Sequence, residues 1–207
     1  MQDIIIVDDH PVVVMALRIL LETNGFNVIA TSDNGVDALK VIRQKKPDAV
    51  IIDISIPKLD GIEVIKRLNQ SVNPPKILVL TAQPTSLFAN RCLHAGASGY
   101  VSKLDDLEEV IGGTKAILAG YSYYPNIKTS SQSDGVTLSE TDLLDTLSSR
   151  EMIVLQQLSC GFSNREIAER MLLSEKTIST YKQRIMKKTN THNLIDVVDV
   201  ARRNGIV

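Results

Sequence analysis

The sequence predicts two domains: an α/β domain built on a five-stranded parallel sheet, and a small all-α domain of four helices. Short apolar runs alternate with helix-like repeats in the first part of the chain, whereas helix-like repeats with strong start signals dominate after residue 145. The stretch between them is rich in Ser and Thr, has little apolar periodicity and is typical of a linker. We therefore predict a first domain at residues 1–119, a linker at 120–144 and a second domain at 145–207.

Five apolar runs predict the strands, because runs without polar alternation are typical of parallel strands covered by helices on both faces. A helix-like repeat follows each run, which indicates five βα units with right-handed crossovers. The strand count favours the flavodoxin-like order 2-1-3-4-5. The predicted strands cover residues 3–7, 27–31, 49–52, 76–80 and 99–101, and the helices cover about 11–25, 34–45, 61–69, 84–96 and 105–119.

Polar side chains stand at the ends of four of these strands. Asp8 and Asp9 follow the first strand and Asp53 follows the third, while Thr81 ends the fourth and Lys103 comes two positions after the fifth. The carboxyl ends of parallel strands form the edge at which open α/β sheets bind ligands. The sequence therefore predicts that these five residues share one site.

The chemistry of this site follows from its charges. Clustered carboxylates repel one another unless a cation compensates them, and Mg²⁺ together with Lys103 would do so. Asp53 could then attack a phosphoryl donor and form an aspartyl phosphate, with the Thr81 hydroxyl bonded to a phosphoryl oxygen. Each residue alone has a commoner explanation, since strand-end acids are usually solvated or cap a helix and Lys103 could be a surface lysine. Their joint arrangement favours the phosphorylation site.

Residues 1–119 resemble a response-regulator receiver domain. The resemblance implies that Asp53 accepts a phosphoryl group from a sensor histidine kinase or phosphotransfer domain. It also implies a switch, in which Thr81 moves toward the phosphoryl group and Tyr100 turns inward. Six positions in the right strand context carry this resemblance: Asp8, Asp9, Asp53, Thr81, Tyr100 and Lys103.

The receiver resemblance also implies how Mg²⁺ is held. Its ligands would be Asp9, Asp53 and the backbone carbonyl of Ser55, with Asp8 helping through water. Such a domain catalyses its own phosphorylation and a slow hydrolysis, and it is not an enzyme in the metabolic sense. Leu104 departs from the pattern, because many receivers have proline after the lysine.

The second domain begins with clear helix-start signals. Ser148 with Glu151, and Ser163 with Glu166, form S-x-x-E capping boxes, and a third helix starts at Ser174. Two helices joined by so short a turn predict a helix-turn-helix, which a fourth helix at about 193–203 follows. The third helix would turn a polar, basic face to solvent or to DNA, made of Lys176, Thr177, Ser179, Thr180, Lys182, Gln183, Arg184 and Lys187.

The distribution of charge helps to decide whether this face meets solvent or DNA. The whole chain has a net charge of −1, yet residues 145–207 carry ten Lys and Arg against seven Asp and Glu, a net of +3. A charged helical face is most often simply solvated. On the second helix of a helix-turn-helix, however, Gln and Ser/Thr can contact base edges in the major groove while Lys and Arg contact phosphates.

Residues 148–204 resemble the four-helix LuxR/FixJ-type DNA-binding domain. The S-x-R-E start, the G-x-S-N-x-E-I-A turn and the S-x-K-T start of the third helix are all present. Together the two resemblances place the chain in the NarL/FixJ group, and within it the BvgA/EvgA type is the most similar. They imply a two-component response regulator that dimerises on phosphorylation, binds paired promoter half-sites and controls transcription, with RNA polymerase as a further partner.

Other classes of protein also place an acid at the end of a parallel strand. A phosphatase of the haloacid-dehalogenase type needs a second acid two residues after its nucleophile, and Ser55 occupies that position. A dinucleotide-binding domain needs a G-x-G-x-x-G after the first strand, which this chain lacks. A degenerate receiver that serves only as an interaction module stays open.

The expected compartment is the cytoplasm. Cys92 and Cys160 are far apart and show no metal-ligand spacing, which is typical of a reduced chain. We find no signal-peptide pattern, and no apolar stretch approaches the roughly 20 residues of a membrane span. A membrane partner is therefore not expected.

Overall fold

The computed structural model of the chain describes residues 1–106, 108–125, 143–144 and 146–206. The chain divides into two compact units, Met1–Thr129 and Ser130–Val207. Most of the predicted linker, residues 120–144, lies outside the described residues.

The first unit contains a five-stranded parallel sheet in the order β2-β1-β3-β4-β5, as predicted. Its central strand β3 is buried at every position, in agreement with an apolar run that lacks polar alternation. The strands are β1 (Asp3–Val7), β2 (Asn27–Ser32), β3 (Ala49–Ile52), β4 (Lys76–Thr81) and β5 (Gly99–Ser102).

A helix follows each strand, so the predicted βα alternation is confirmed. The last of these helices begins at Glu108 rather than at about residue 105, because Asp105 and Asp106 turn the chain first. The Asp105 backbone amide donates to the Ser102 carbonyl oxygen, and Asp106 Oδ1 accepts a hydrogen bond from the Glu108 amide. The helices are α1 (Pro11–Thr23), α2 (Gly35–Lys45), α3 (Gly61–Asn69), α4 (Thr85–Ala95) and α5 (Glu108–Leu118).

Gly61, at the start of α3, lets this helix approach the end of β3 closely. A Cβ atom at this position would lie 2.3 Å from the Asp53 carbonyl oxygen and 2.7 Å from Ile54 Cα. The Gly61 amide donates to the Ile54 carbonyl oxygen at 3.1 Å. Because backbone cannot give way as a side-chain tip can, glycine is required where α3 meets the strand that positions Asp53.

The described part of the second unit forms helices, as predicted. Both predicted capping boxes form, since Ser148 and Ser163 accept hydrogen bonds from the backbone amides of Glu151 and Glu166, whose side chains bond back. Ser174 caps the third of these helices. The helices are α6 (Ser149–Ser159), α7 (Asn164–Arg170), α8 (Glu175–Lys188) and α9 (Leu194–Arg203).

An ion pair between the buried Glu151 and the half-buried Lys188 joins the end of α8 to the start of α6. Glu151 Oε2 accepts hydrogen bonds from Lys188 Nζ at 2.6 Å and from the Ser148 amide at 2.7 Å. Lys188 Nζ also donates to the Thr146 carbonyl oxygen at 3.0 Å. Burial by itself raises the pKa of Glu151, but Lys188 and the Ser148 bonds outweigh it and hold that pKa below its ordinary value.

None of the helices formed by the described residues combines the length and the hydropathy that a membrane crossing requires.

The Glu151 pair predicts how the stability of the second unit depends on pH. A carboxyl whose pKa is lower in the folded state stabilises fully above its unfolded pKa, and this contribution is lost as pH falls through the folded pKa. Glu151→Gln should therefore destabilise the unit by about 1–3 kcal/mol at pH 7, and by progressively less below about pH 4.5. Calorimetry of the full chain from pH 7 to pH 3 measures this difference.

Glu166→Gln is the control for this measurement, because Glu166 completes an equivalent capping box on an exposed surface and forms no ion pair with a lysine among the described residues. It should shift the same transition less than Glu151→Gln does. Equal shifts, or a Glu151→Gln effect that stays constant with pH, would contradict the role of the pair.

Candidate functional site

The register of the sheet brings the predicted acidic residues together. Val7 pairs with Ile52, so Asp8 and Asp53 leave neighbouring strands side by side, and the Asp53 amide donates to the Val7 carbonyl oxygen at 2.9 Å. On the other side, the Lys103 amide donates to the Thr81 carbonyl oxygen at 2.8 Å. The side chains of strands that are distant in sequence therefore meet at one edge of the sheet.

Lys103 links the two buried carboxylates of this site. Its Nζ lies 2.6 Å from Asp8 Oδ2 and 2.6 Å from Asp53 Oδ2. Only 13% of the Lys103 side chain is exposed. Burial by itself lowers the pKa of Lys103, but the charge of Asp53 and the bonds to both carboxylates outweigh it and raise that pKa above its ordinary value. Lys103 is therefore held as an ammonium between two carboxylates.

The remaining oxygens of the cluster provide room for a hard cation. Asp53 Oδ1 accepts one hydrogen bond, from the Ser55 amide at 3.0 Å. Asp9 Oδ1 is buried and accepts no hydrogen bond from the described residues, although His10 Nδ1 lies 3.1 Å away. One ligand atom from each of Asp8, Asp9, His10 and Asp53 lies within 4.8 Å of the others. An oxygen-rich set with an unsatisfied carboxylate oxygen fits Mg²⁺.

Thr81 and Tyr100 both lie beside the loop that follows β4. Thr81 is fully buried, and its Oγ1 accepts a long hydrogen bond of 3.4 Å from the Gln83 amide. Tyr100 is 1% exposed and points inward, with its hydroxyl donating to the Gln83 carbonyl oxygen at 2.8 Å. Burial raises the pKa of Tyr100, so its hydroxyl stays protonated and remains a donor.

Gln83 is a site residue that the sequence analysis missed. Its side-chain amide donates to Ser55 Oγ at 3.1 Å and so joins the loops after β3 and β4 above Asp53. The only available signal was its position two residues after Thr81, since an isolated glutamine in a loop indicates no particular chemistry. Ser55 itself lies at the rim of the site through its amide bond to Asp53.

The environment of Cys92, on α4, makes its thiol unreactive. It is fully buried, and burial raises the pKa of its thiol to about 12. The thiolate, which is the reactive form of cysteine, is therefore scarce at neutral pH.

The polar face of α8 is arranged largely as predicted. Ile178 and Ile185 are fully buried, while Tyr181 is half-buried and closes the core side of the helix. Among the predicted DNA-contact residues, Thr177 and Lys182 are half-buried and the others are exposed, namely Lys176, Ser179, Thr180, Gln183, Arg184 and Lys187.

The hydroxyl groups on this face already have partners within the unit. Thr177 Oγ1 bonds Ser174 Oγ at 2.8 Å, and Ser179 Oγ accepts from Asn164 Nδ2 at 3.2 Å. Thr180 Oγ1 donates to the Lys176 carbonyl oxygen at 3.0 Å. In the described part of the chain no side-chain hydrogen bond or ion pair engages the longer polar residues, which are Lys176, Lys182, Gln183, Arg184 and Lys187.

Comparisons with known proteins agree with both units. The family model of the response regulator receiver domain matches residues 4–113, and that of the bacterial regulatory proteins of the luxR family matches residues 145–201. These matches favour the receiver over the phosphatase and dinucleotide-binding alternatives.

Curated relatives match along nearly the whole chain. BvgA of Bordetella pertussis, a positive transcription regulator of virulence factors, is 50% identical over 204 residues, 98% of each chain. EvgA of Escherichia coli, a DNA-binding transcriptional activator, is 36% identical over 202 residues, 98% of each chain. The predicted BvgA/EvgA type of the NarL/FixJ group is thus confirmed.

Solved structures extend the comparison. RcsB of Salmonella enterica, bound to a promoter in the presence of a phosphomimetic, is 26% identical with a TM-score of 0.58 and covers 96% of this chain and 97% of its own. Another structure shows two RcsB dimers on two parallel DNAs, with a TM-score of 0.57, 26% identity and coverage of 97% and 98%. The chain therefore belongs to the response regulators that join a receiver domain to a DNA-binding domain of the LuxR family.

Proposed function

We propose that Asp53 is the phosphoacceptor of this response regulator and that its phosphorylation controls binding to promoter DNA. The observation that carries the proposal is the Lys103 ammonium, which lies 2.6 Å from both Asp8 and Asp53 at the ligand-binding edge of the sheet. One cation and three carboxylates leave an excess of negative charge, and a divalent metal ion would offset it.

The reaction is a phosphoryl transfer. A carboxylate oxygen of Asp53 attacks the phosphorus of the donor, the bond between phosphorus and the donor breaks, and the donor leaves with the electron pair. The donor is a phosphohistidine of a sensor kinase or phosphotransfer domain, or a small acyl phosphate. Attack of water on the aspartyl phosphate later releases inorganic phosphate and restores Asp53. The chain thus acts on itself and is not a classical enzyme.

Mg²⁺ would be held by Asp9, Asp53 and the backbone carbonyl of Ser55, with Asp8 assisting. When bound, it supplies positive charge to the oxygens of the transferred group. Lys103 would exchange part of its contact with Asp53 for a phosphoryl oxygen and so report the modification to β5. The Gln83 bond to Ser55 orders the rim through which the donor enters.

The switch would connect the phosphoryl group to the surface of the unit. Thr81 lies at the end of β4, and among the described residues its hydroxyl has one long hydrogen bond, so turning toward a phosphoryl oxygen would cost little free energy. The Tyr100 hydroxyl is bonded to the Gln83 carbonyl oxygen, so a movement of this loop would also affect Tyr100. Phosphorylation then shifts populations among conformations that already exist.

The output is binding of DNA by α8, in the cytoplasm where promoters are accessible. The exposed Lys176, Arg184 and Lys187 suit phosphate contacts, and Gln183 suits a base edge in the major groove. RcsB binds DNA as a dimer, and a symmetric dimer of this chain would likewise place two recognition helices on paired half-sites. RNA polymerase is a further proposed partner at the promoter.

Asp53→Asn should abolish phosphorylation while preserving the fold, because asparagine keeps the shape of the side chain and removes the nucleophilic carboxylate. Intact-mass spectrometry after incubation with acetyl phosphate and Mg²⁺ measures the adduct. The wild-type chain should gain one phosphoryl group, and EDTA should prevent it. An adduct that persists in Asp53→Asn would show that another residue is the acceptor.

Lys103→Ala should allow phosphorylation but remove its effect on DNA binding. The acids remain, so the adduct should still form with Mg²⁺, whereas the phosphorylation-dependent gain in DNA affinity should fall toward unity because the ammonium that links Asp53 to β5 is gone. Titration of labelled promoter DNA with the same mass-checked samples measures both. Lys115→Ala, which removes an exposed lysine of α5, should behave as wild type.

Substitutions on α8 should separate base contacts from phosphate contacts. Gln183→Ala should reduce discrimination between specific and altered sites by about 1–3 kcal/mol, whereas Lys187→Ala should weaken all sites similarly and reduce the salt slope by about 1. Binding isotherms at several salt concentrations measure both quantities.

Lys188→Ala is the control for these isotherms, because the ammonium of Lys188 is bonded to Glu151 rather than free for DNA. It should lower thermal stability and leave the salt slope unchanged. A reduced slope in Lys188→Ala with wild-type stability would contradict this assignment.

A further inference from the structure

Residues 121–124, which we call the strap, follow α5 and lie along the outer edge of β5. The Tyr123 amide donates to the Ser98 carbonyl oxygen at 3.1 Å, and the Tyr123 carbonyl oxygen accepts from the Tyr100 amide at 2.7 Å. Together these bonds form a parallel bridge between Tyr123 and Gly99. Because β5 is the edge strand of the sheet, the strap satisfies backbone groups that would otherwise be open to pairing.

Glycines make room for Tyr123. A Cβ at Gly99 would lie 2.9 Å from the Tyr123 carbonyl oxygen and 2.8 Å from Leu78 Cδ1. A Cβ at Gly113 on α5 would lie 3.0 Å from Tyr123 Cδ1, whereas one at Gly112 would lie 3.7 Å from the hydroxyl oxygen, an ordinary contact. The Tyr123 backbone therefore lies against Gly99 and its ring against Gly113, and neither position has space for a side chain.

Side-chain hydrogen bonds hold the strap at Tyr123 and Tyr124. The Tyr123 hydroxyl donates to Glu109 Oε2 on α5, and its ring packs against the hydrophobic core. The Tyr124 hydroxyl donates to the Ala97 carbonyl oxygen at 2.8 Å, in the loop that precedes β5. Tyr121, by contrast, is 72% exposed. The strap thus binds β5, the loop before it and α5 together.

Tyr100 joins the strap to the switch. Its amide donates to Tyr123, while its hydroxyl donates to the carbonyl oxygen of Gln83 in the loop after Thr81. Tyr100 is therefore bonded to the switch loop through its side chain and to the strap through its backbone. Beyond the strap, the chain runs on to the unit that carries α8.

We propose that the strap is a conformational link, which conveys phosphorylation of the receiver to the segment that connects it to the DNA-binding unit. The strap is docked on β5 when Tyr100 is inward and loosened when Tyr100 turns out. This inference rests on the proposed function. Release of the four strap residues would lengthen this connecting segment by up to about 13–14 Å. Because coupling is reciprocal, a weakened strap must also disfavour the inward state of Tyr100.

Two neighbouring glycines of α5 provide a matched test in the full-length chain. Gly112→Ala and Gly113→Ala make the same change of helix propensity one residue apart, yet only the second crowds the Tyr123 ring, and with it Leu78 Cδ1 at 3.2 Å. Tyr123→Ala removes the ring itself, and Tyr121→Ala is its control at an exposed position of the same strap.

Three quantities are measured on each sample: the phosphoryl adduct by intact mass, hydrogen exchange at the amides of Tyr100 and Tyr123, and the ratio of DNA affinities with and without phosphorylation. Gly113→Ala and Tyr123→Ala should form the adduct as wild type does and should exchange both amides about tenfold faster or more. Their affinity ratio should fall about fivefold or more. Gly112→Ala and Tyr121→Ala should match wild type in all three.

The outcomes separate the strap from the proposed function. Faster exchange in Gly113→Ala or Tyr123→Ala with a wild-type affinity ratio would overturn the link and leave phosphorylation control intact. Wild-type exchange in both variants would show that these contacts do not hold the strap, which also overturns it. A wild-type chain that forms no adduct, or whose adduct leaves DNA affinity unchanged, would overturn the proposed function together with this inference.

Discussion

The site depends on one interaction, the Lys103 ammonium held between the carboxylates of Asp8 and Asp53. Two buried acids at neighbouring strand ends would repel each other strongly without it, because little solvent is present to screen them. The position of Lys103 requires β4 and β5 to be in register, since its amide bonds the Thr81 carbonyl oxygen. The electrostatics of the site therefore depend on the register of the sheet. A slip of one residue between β4 and β5 would move Lys103 to the other face.

Two groups of contacts surround this pair and do different work. Below it, α3 starts at Gly61 with no space for a side chain against the Asp53 carbonyl, which fixes the strand end rigidly. Above it, Gln83 is bonded to Ser55, Thr81 and Tyr100 through single hydrogen bonds, each worth only about 1 kcal/mol net. Close backbone packing at Gly61 and weak hydrogen bonds at Gln83 suit a site that must keep its acids in place while a loop moves.

The DNA-binding unit shows a similar division. Its short hydroxyl side chains are bonded within the unit and fix the geometry of α8, while the long Lys, Arg and Gln side chains extend free of such bonds among the described residues. The Glu151 and Lys188 pair then holds the end of α8 against the first helix. The charge that we propose contacts DNA and the charge used for the fold thus lie on adjacent lysines, Lys187 and Lys188.

Much of this protein could be predicted from the sequence alone, because apolar runs, helical periodicity and capping boxes are local signals. They determined the βα alternation, the strand order and the strand-end positions of Asp53 and Lys103. Only the tertiary structure decided the inward Tyr100, the Gln83 bond to Ser55 and the strap at Tyr123. These are single contacts between segments up to about thirty residues apart, and they depend on side-chain direction and on space at glycines, which no periodicity encodes.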